Sequence, residues 1–192
     1  GLTQAQLDSV DFKYNDQYLL EPYSNLTGVN LNNVDLAGYD LTGANLTNAD
    51  LRHTDLTNVN FTDAILRGVQ LTNTDFTGAN LTGAVLTDAT LYSSNFTDAD
   101  LTGVTFDPYV NLSWSNFTNA TFDANIDLSE AHLKGVNFSG ATLVGADLTG
   151  TDLTHANLTD ANLLDADLTG ANLFQATYDV IISQAPTSIT LD

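Results

Sequence analysis

The 192-residue chain contains no cysteine, which excludes disulfides and thiolate metal sites. Basic residues are also scarce: Lys13, Arg52, Arg67 and Lys134 stand against 24 acidic residues, and the formal net charge is −20. Phosphate groups are bound by clustered Lys and Arg side chains, so we expect no direct binding to nucleic acid or to an anionic membrane. No apolar run approaches the ~18 residues of a membrane-spanning helix, and no membrane span is predicted.

What the chain has instead is a repeat of five residues: a small residue, Asn or Asp, Leu or Phe, Thr or Ser, and any residue. The large apolar position recurs every five residues from Leu26 to Phe106, three times between Leu112 and Phe122, and again from Leu128 to Tyr178. These stretches hold 17, 3 and 11 pentads, with one extra residue at each of the two junctions. A period of five matches neither the 3.6 of a helix nor the 2 of a strand, so the chain must turn once per pentad.

The repeat predicts which side chains point inward. The large residue and the small residue two places before it share a face of an extended segment, so both should be buried. The other positions hold mainly Asn, Asp, Thr, Gly and Ser, which favour turns at the surface. The two extra residues predict corner bulges near Asp107–Asn111 and Asp123–Asp127, and Trp114 replaces a turn residue and should lie outside.

These pentads resemble the A(D/N)LXX consensus of the pentapeptide repeat family, as in Ala44-Asn45-Leu46-Thr47-Asn48 and Ala171-Asn172-Leu173. The resemblance spans Asn25 to Tyr178. It implies an all-β fold, a right-handed quadrilateral parallel β-helix with four pentads per coil and coils about 4.8 Å apart.

The spacing of the Phe residues fits two numbers of sides. Four Phe residues lie four pentads apart, which favours four sides: Phe76, Phe96, Phe117 and Phe138. Three Phe residues lie three pentads apart, which leaves a triangular coil open: Phe106, Phe122 and Phe138. With four sides, the repeat would form a rod of about 37 Å.

The ends depart from the repeat, and we divide the chain into residues 1–24, 25–179 and 180–192. Thr3 and Gln6 form a capping box flanked by Leu2 and Leu7, which favours a short helix that caps the first coil. The alternative treats Leu2, Leu7 and Phe12 as three further pentads. With the helix, residues 13–24, which carry three Tyr, would be a loop folded over that end.

The C-terminal segment is predicted to pack on the end of the repeat or to connect it to another subunit or domain. Val180–Ile182 should cover the last coil or meet a second subunit, giving a homodimer through the C-terminal end. Ala185–Asp192 resembles the opening strand of cadherin-like repeats in large secreted bacterial proteins, so the segment is either a linker to a following domain or a disordered tail. We therefore expect an extracellular, periplasmic or thylakoid-lumenal location rather than a cytoplasmic one.

Catalysis finds little support in the sequence. His53, His132 and His155 are scattered without the spacing of a metal site, and no Gly-Ser elbow or phosphate loop occurs. Carboxylates are plentiful, but a general acid needs a pKa raised by burial, and the repeat places these Asp residues at the surface. We predict that the protein is not an enzyme and needs no cofactor.

Two regular surface patterns suggest binding sites. With four sides, six Asp residues form two columns on different sides, which are weak candidates for Ca²⁺ because Ca²⁺ prefers oxygen ligands: Asp35, Asp55, Asp75 and Asp127, Asp147, Asp167. The alternative is that Asp simply replaces Asn as a turn residue. Thr residues form two further columns, reminiscent of ice-binding surfaces: Thr42, Thr62, Thr82, Thr102 and Thr57, Thr77, Thr97, Thr118.

Two function classes follow from the resemblance and the charge. The first is a structural or binding rod with an unknown protein partner. The second is a DNA mimic, because some family members confer quinolone resistance by binding gyrase in place of DNA. A charge of −20 over about 37 Å gives about one charge per 1.9 Å, close to the ~1.7 Å of duplex DNA. The charge is spread over several sides and interrupted along each, so we favour the rod.

Overall fold

The structure is a computed structural model of the chain, and it describes residues 20–179. The main chain winds into coils of twenty residues, because residues twenty positions apart pair in parallel, as Asn25 does with Asn45 and Asn45 with Ile65. Each coil therefore holds four pentads. This spacing confirms the four-sided coil and excludes the triangular one.

We number the sides 1 to 4 in chain order, each starting at the first residue that pairs with the next coil. Side 1 starts at Asn25, side 2 at Asn30, side 3 at Asp35 and side 4 at Asp40. A corner takes the numbers of the two sides it joins. Corner 2–3, for example, is formed by the two turn residues that follow the large apolar residue of side 2.

Most contacts between coils are single-residue bridges, because a five-residue side that includes a turn leaves only one or two residues extended. Within residues 20–179 four two-residue strands form, and no helix does. These strands are β1 (Asp100–Leu101), β2 (Thr121–Phe122), β3 (Asn157–Leu158) and β4 (Thr177–Tyr178). β1 pairs in parallel with β2, and β3 pairs in parallel with β4.

The same set of main-chain hydrogen bonds recurs in most pentads. The N–H of Leu81 donates to the carbonyl of Asp100 in the next coil at 2.7 Å. The N–H of Gly83, at the corner, donates to the carbonyl of Thr102 at 2.8 Å. The N–H of Ala84 donates back to Leu81 at 2.9 Å and closes the turn. Two of these three bonds join neighbouring coils, so each coil is held mainly by the next one.

The inward positions are filled as the repeat predicts. All but three of the 31 large apolar residues are buried, and Leu81 and Leu153 are fully buried. The exceptions are Phe106, beside the first extra residue, and Leu163 and Tyr178, at the end of the stack. No Asn/Asp position of a described pentad is buried, so the division between inside and outside is confirmed.

A column of Phe rings runs through the core on side 3. The centroids of Phe76 and Phe96 are 4.7 Å apart, those of Phe96 and Phe117 4.8 Å, and those of Phe117 and Phe138 5.3 Å. These spacings match the distance between coils, so equivalent side chains stack directly on one another.

The corners require a left-handed backbone. The residue two places after the large apolar residue, or three places after it at the two extra residues, has φ between +54° and +73°. This conformation is cheap for Gly and tolerated by Asn and Asp. Trp114 also adopts this conformation and is 49% exposed, so its predicted position outside the core is confirmed. Its ring lies over the corner of the next coil, where a Cβ added to Gly135 would come within 2.4 Å of Trp114 Cε3.

The extra residues lie at corners, as predicted. Left-handed corner residues are five apart except between Gly103 and Tyr109 and between Asn119 and Asn125, where they are six apart. The first extra residue falls in corner 1–2 and the second in corner 4–1. Sides 3 and 4 stay paired through this region, partly through β1 and β2, so the solenoid is not broken.

Sides 1 and 2 do lose pairing there, which the sequence did not predict. Among the described residues, Thr105 does not pair with Asp127 on side 1, and Thr90 does not pair with Asn111 on side 2. The chain between Thr90 and Asn111 contains the first extra residue, and the chain between Thr105 and Asp127 contains both. The two gaps lie between different pairs of coils, because Val85 still pairs with Thr105 on side 1 and Asn111 still pairs with His132 on side 2.

The terminal predictions fall outside the described residues. They are the helix at Thr3, its alternative with pentads at Leu2, Leu7 and Phe12, the cover at Val180–Ile182, and the linker or tail at Ala185–Asp192. The first described residues already have the corner geometry, because the N–H of Tyr23 donates to the carbonyl of Thr42 at 2.7 Å.

Gly135→Ala should destabilise the fold more than Gly38→Ala. Both glycines have positive φ, so either substitution should cost about 1–2 kcal/mol in backbone strain. Gly135 lies under the Trp114 ring, whereas a Cβ added to Gly38 would meet no atom within 4 Å. Urea unfolding should show the larger loss for Gly135→Ala, and the fluorescence of Trp114, the chain's single Trp, should shift to the red.

The matching control is the same pair of substitutions in a Trp114→Ala background. There the two glycine substitutions should cost equal free energies of unfolding. An unequal cost in that background, or unchanged Trp fluorescence in Gly135→Ala, would contradict the packing of the indole on this corner.

Candidate functional site

The six candidate Asp residues form two columns, as predicted. Asp35, Asp55 and Asp75 pair in succession on side 3. The second column lies on side 1, where Asp147 pairs with both Asp127 and Asp167. The structure brings together the members of each column but keeps the two columns on different sides.

Each of these carboxylates is engaged by its own turn. Oδ1 accepts a hydrogen bond from the main-chain N–H two residues later, at 3.0 Å from Thr57 to Asp55 and at 2.9 Å from Thr149 to Asp147. Asp127 also accepts the Ser129 hydroxyl at 2.7 Å. This is the bond that a turn-forming Asn makes elsewhere in the repeat, so the arrangement favours the turn interpretation of the columns.

Hydrogen bonding lowers the pKa of two of these carboxyls, both on side 1. The Ser129 hydroxyl and N–H lower the pKa of Asp127, and Thr169 does the same for Asp167. Their contribution to stability is therefore present above the ordinary pKa of Asp and is lost as the pH falls through the lower folded-state pKa. The carboxylates stay charged at neutral pH, so neither is a candidate for a general acid.

A metal site is not assembled in the described part of the chain. Within residues 20–179, no group of three or more His, Asp or Glu side chains is placed to hold a metal ion. In each column the carboxylates come one per coil, and each has an oxygen bonded to the main chain. Ca²⁺ binding by these columns stays a prediction.

Side 3 changes from Asp to Asn along the rod, and its hydrogen bonding changes with it. Asn95 Nδ2 donates to Asp75 Oδ1 at 3.0 Å and to Thr77 Oγ1 at 2.8 Å in the preceding coil. Asn116 repeats the second bond, to Thr97, at 2.9 Å. An ionised Asp has no donor, so the Asp half of this side lacks these bonds and carries like charges one coil apart.

One corner differs from the other three in its chemistry. Corner 2–3 has no acidic residue at any of its turn positions: Asn32, Asn33, Arg52, His53, Thr72, Asn73, Tyr92, Ser93, Ser113, Trp114, Lys134, Gly135, Thr154, His155, Phe174 and Gln175. It has three exposed aromatic side chains, Tyr92 (43%), Trp114 (49%) and Phe174 (47%). Each of the other corners carries at least two carboxylates within the described residues.

The basic residues of the described chain also concentrate here. Arg52 and Lys134 lie on corner 2–3, and Arg67 lies on corner 1–2. Arg52 forms an ion pair with Asp50 of side 2 at 2.7 Å, which raises the pKa of its guanidinium and lowers that of the Asp50 carboxyl. Two of the three His residues, His53 and His155, share this corner in different coils.

Corner 2–3 is not evident from the sequence when its His and aromatic residues are considered one by one. The signal was available, since residues 20 or 21 positions apart share a corner once four sides are accepted.

No membrane-crossing helix is found among the described residues.

Asp75→Asn should stabilise the protein, and Asn95→Asp should destabilise it. The first removes one of three stacked charges and adds an amide that can donate to Asp55 and Thr57 as Asn95 does to Asp75 and Thr77. We expect a gain of about 1 kcal/mol in the free energy of unfolding at low salt, and a loss of similar size or larger for Asn95→Asp.

Urea unfolding at low salt and at 1 M NaCl measures both effects. Salt screens the charge repulsion, so the gain from Asp75→Asn should shrink but not vanish. Equal stability of Asp75→Asn and the unmodified protein at low salt would contradict the assignment of repulsion to this column.

The chain is similar to several solved pentapeptide repeat structures. It is 19% identical to a trypsin-treated variant of QnrB1, a plasmid-mediated fluoroquinolone resistance protein, with 85% of this chain and 91% of that chain covered and a TM-score of 0.44. It is 28% identical to HetL, a protein involved in heterocyst differentiation regulation in the cyanobacterium Nostoc sp. strain PCC 7120, with 81% and 87% covered and a TM-score of 0.34.

A third likeness is to a pentapeptide repeat protein of the Arabidopsis thaliana thylakoid lumen, at 31% identity, with 65% and 71% covered and a TM-score of 0.21. These TM-scores are low, so the likenesses carry no argument about partner or role. No curated protein sequence matches this chain.

The family assignment depends instead on the repeat itself. The sequence profile of the family described as Pentapeptide repeats matches residues 24–63, 64–106, 124–160 and 138–174, in eight copies. These matches cover well over half of the chain and leave out residues 107–123, which lie between the two extra residues. Together with coils of four pentads, they show that this chain belongs to the pentapeptide repeat family.

Proposed function

We propose that the protein is a right-handed, non-enzymatic binding rod, exported from the cytoplasm, whose protein partner contacts corner 2–3. The single observation that carries the proposal is the chemistry of this corner. It combines exposed Trp, Tyr and Phe side chains with two basic residues, Arg52 and Lys134. Its turn positions lack carboxylates, although the chain has a net charge of −20.

Several properties of the corner favour a protein contact. Trp, Tyr and Arg are the residues most often found at the energetic centres of protein interfaces. The Trp114 ring is held in place by packing on Gly135, so little conformational freedom is lost when a partner covers it. The neighbouring coils present Tyr92 and Lys134, and the rigid main-chain ladder fixes their spacing.

The rest of the solenoid supports a role without catalysis. Its interior is filled by Leu, Phe and small residues, and most of its buried hydroxyls are bonded, as in the 2.8 Å bond from Thr54 to the carbonyl of Leu31. Among the described residues, the Ser24 hydroxyl is the buried side-chain group without a hydrogen-bond partner. The outward Asn and Asp side chains bond to their own turns. Within residues 20–179 no buried pair of acidic and basic groups is found of the kind that proton-transfer chemistry requires.

A DNA mimic needs a continuous charged stripe, and the observed columns argue against one. On side 3 the carboxylates end at Asp75 and are followed by Asn95 and Asn116. On side 1 they begin only at Asp127, after Ile65 and Val85 on the same side. We therefore place gyrase second to an unknown partner.

The proposal is tested by crosslinking from single cysteines, which the cysteine-free chain makes specific. Thr72→Cys lies on corner 2–3, and Thr87→Cys occupies the same pentad position on corner 1–2. Each full-length variant is labelled with a benzophenone maleimide, added to an extract of the source cells and irradiated. We expect a discrete crosslinked species from position 72 alone, lost when Trp114→Ala is added.

Three results would overturn this proposal. Equal crosslinking from positions 72 and 87 would show that the corner is not selective, and crosslinking from neither would favour a pure spacer. The third is potent inhibition of purified gyrase in a supercoiling assay, weakening with added salt, which would make the DNA mimic the better account.

A further inference from the structure

The two extra residues open a cleft on side 1. It has a volume of about 460 Å³ and lies between the coil segment 104–110 and the segment 123–131 of the next coil. We call it the side-1 cleft. It coincides with the missing pairing between Thr105 and Asp127, so it forms where two coils that are otherwise in register move apart.

The main chain along this cleft has unused hydrogen-bonding groups. By the pattern of the other coils, the N–H of Phe106 would donate to the carbonyl of Asp127, and the N–H of Asp127 would donate to the carbonyl of Val104. Neither bond forms, whereas the equivalent bonds one coil earlier do, at 2.9 Å from Leu86 to Thr105 and 3.0 Å from Thr105 to Ala84. The cleft is thus edged by two short stretches of strand without partners.

The floor of the cleft is apolar. Phe106 and Ile126 occupy inward positions of the repeat, yet both are only partly buried, whereas inward residues away from the bulges are mostly buried. Val104 and Val110 line the same cavity. Burying this exposed apolar surface under an apolar group of a ligand would be favourable.

The rim of the cleft is acidic. Asp107, Asp123 and Asp127 line it, and its lining includes no Lys, Arg or His. Asp123 Oδ2 accepts the N–H of Gly103 at 2.6 Å, and Asp107 Oδ2 accepts the N–H of Asp88. These bonds fix the carboxylates at the two bulges without neutralising them, so the charge complement of the rim is a cation.

We propose that the side-1 cleft binds an extended basic segment of a partner protein, which adds to the coil edges as a strand. The unpaired main-chain groups would bond to its backbone, alternate apolar side chains would cover Phe106 and Ile126, and Lys or Arg side chains between them would meet the rim carboxylates. This site is separate from corner 2–3 and does not depend on the partner proposed there.

The test is a titration of the ¹⁵N-labelled full chain with an acetylated, amidated pentapeptide, Val-Lys-Val-Lys-Val, followed by NMR. We expect the largest shift changes at the amides of Phe106 and Asp127. Val-Glu-Val-Glu-Val should not bind. Pro-Lys-Pro-Lys-Pro keeps the charge but has no proline N–H to pair, and it should bind at least tenfold more weakly.

Two double variants of equal charge separate the cleft from the general acidity of the surface. Asp107→Asn/Asp127→Asn should weaken binding of the lysine peptide at least tenfold. The Asn oxygens can still accept the N–H groups of Asp88 and Ser129, but the negative charge of the rim falls. Asp147→Asn/Asp167→Asn, outside the cleft on side 1, should weaken it less than threefold.

Absence of binding at millimolar peptide would overturn the proposal. Equal weakening by the two double variants, or shift changes spread evenly over the Asp columns, would show non-specific attraction and would also overturn it. Equal affinity of the proline peptide would exclude strand addition.

Discussion

The whole solenoid depends on the main-chain hydrogen bond between residues one coil apart. A pentad is too short to form a helix or an independent hairpin, so its N–H and carbonyl groups are satisfied mainly by the coils on either side. This constraint sets the coil at twenty residues and forces equivalent side chains into columns. The stacked Phe76, Phe96 and Phe117 rings and the Asp and Asn columns are consequences of the same ladder.

The main-chain pairing between coils also determines which surface residues lie next to one another. Because each corner residue lies over its counterpart one coil away, Trp114 can pack on Gly135, and Asn95 can bond to Asp75. Residues far apart in sequence then form continuous surfaces, as on corner 2–3. Where an extra residue interrupts the ladder on side 1, the same dependence leaves main-chain groups unpaired and opens a cleft. A functional surface in this fold is therefore either a column or a break in a column.

The repeat predicted the core, the corners and the position of both bulges, because one small and one large residue in five can face inward only in this arrangement. It placed Trp114 outside and the two Asp columns correctly. It did not predict the side-1 cleft, because the pattern at Phe106 and Ile126 is that of ordinary inward positions. They are partly exposed because both extra residues lie between Thr105 and Asp127, and the two coils do not pair there. Corner 2–3 also escaped notice, since it emerges only when residues such as Tyr92 and Phe174 are compared across coils.

Residue-resolved amide hydrogen exchange tests this dependence most directly. Amides of the intact ladder, such as those of Phe96, Asn116 and Leu81, should exchange only through large-scale unfolding of the stack. The amides of Phe106 and Asp127, which have no main-chain partner, should exchange orders of magnitude faster, although they lie in the middle of the chain. Protection of Phe106 and Asp127 equal to that of Phe96, or rapid exchange along the whole of side 3, would contradict the account.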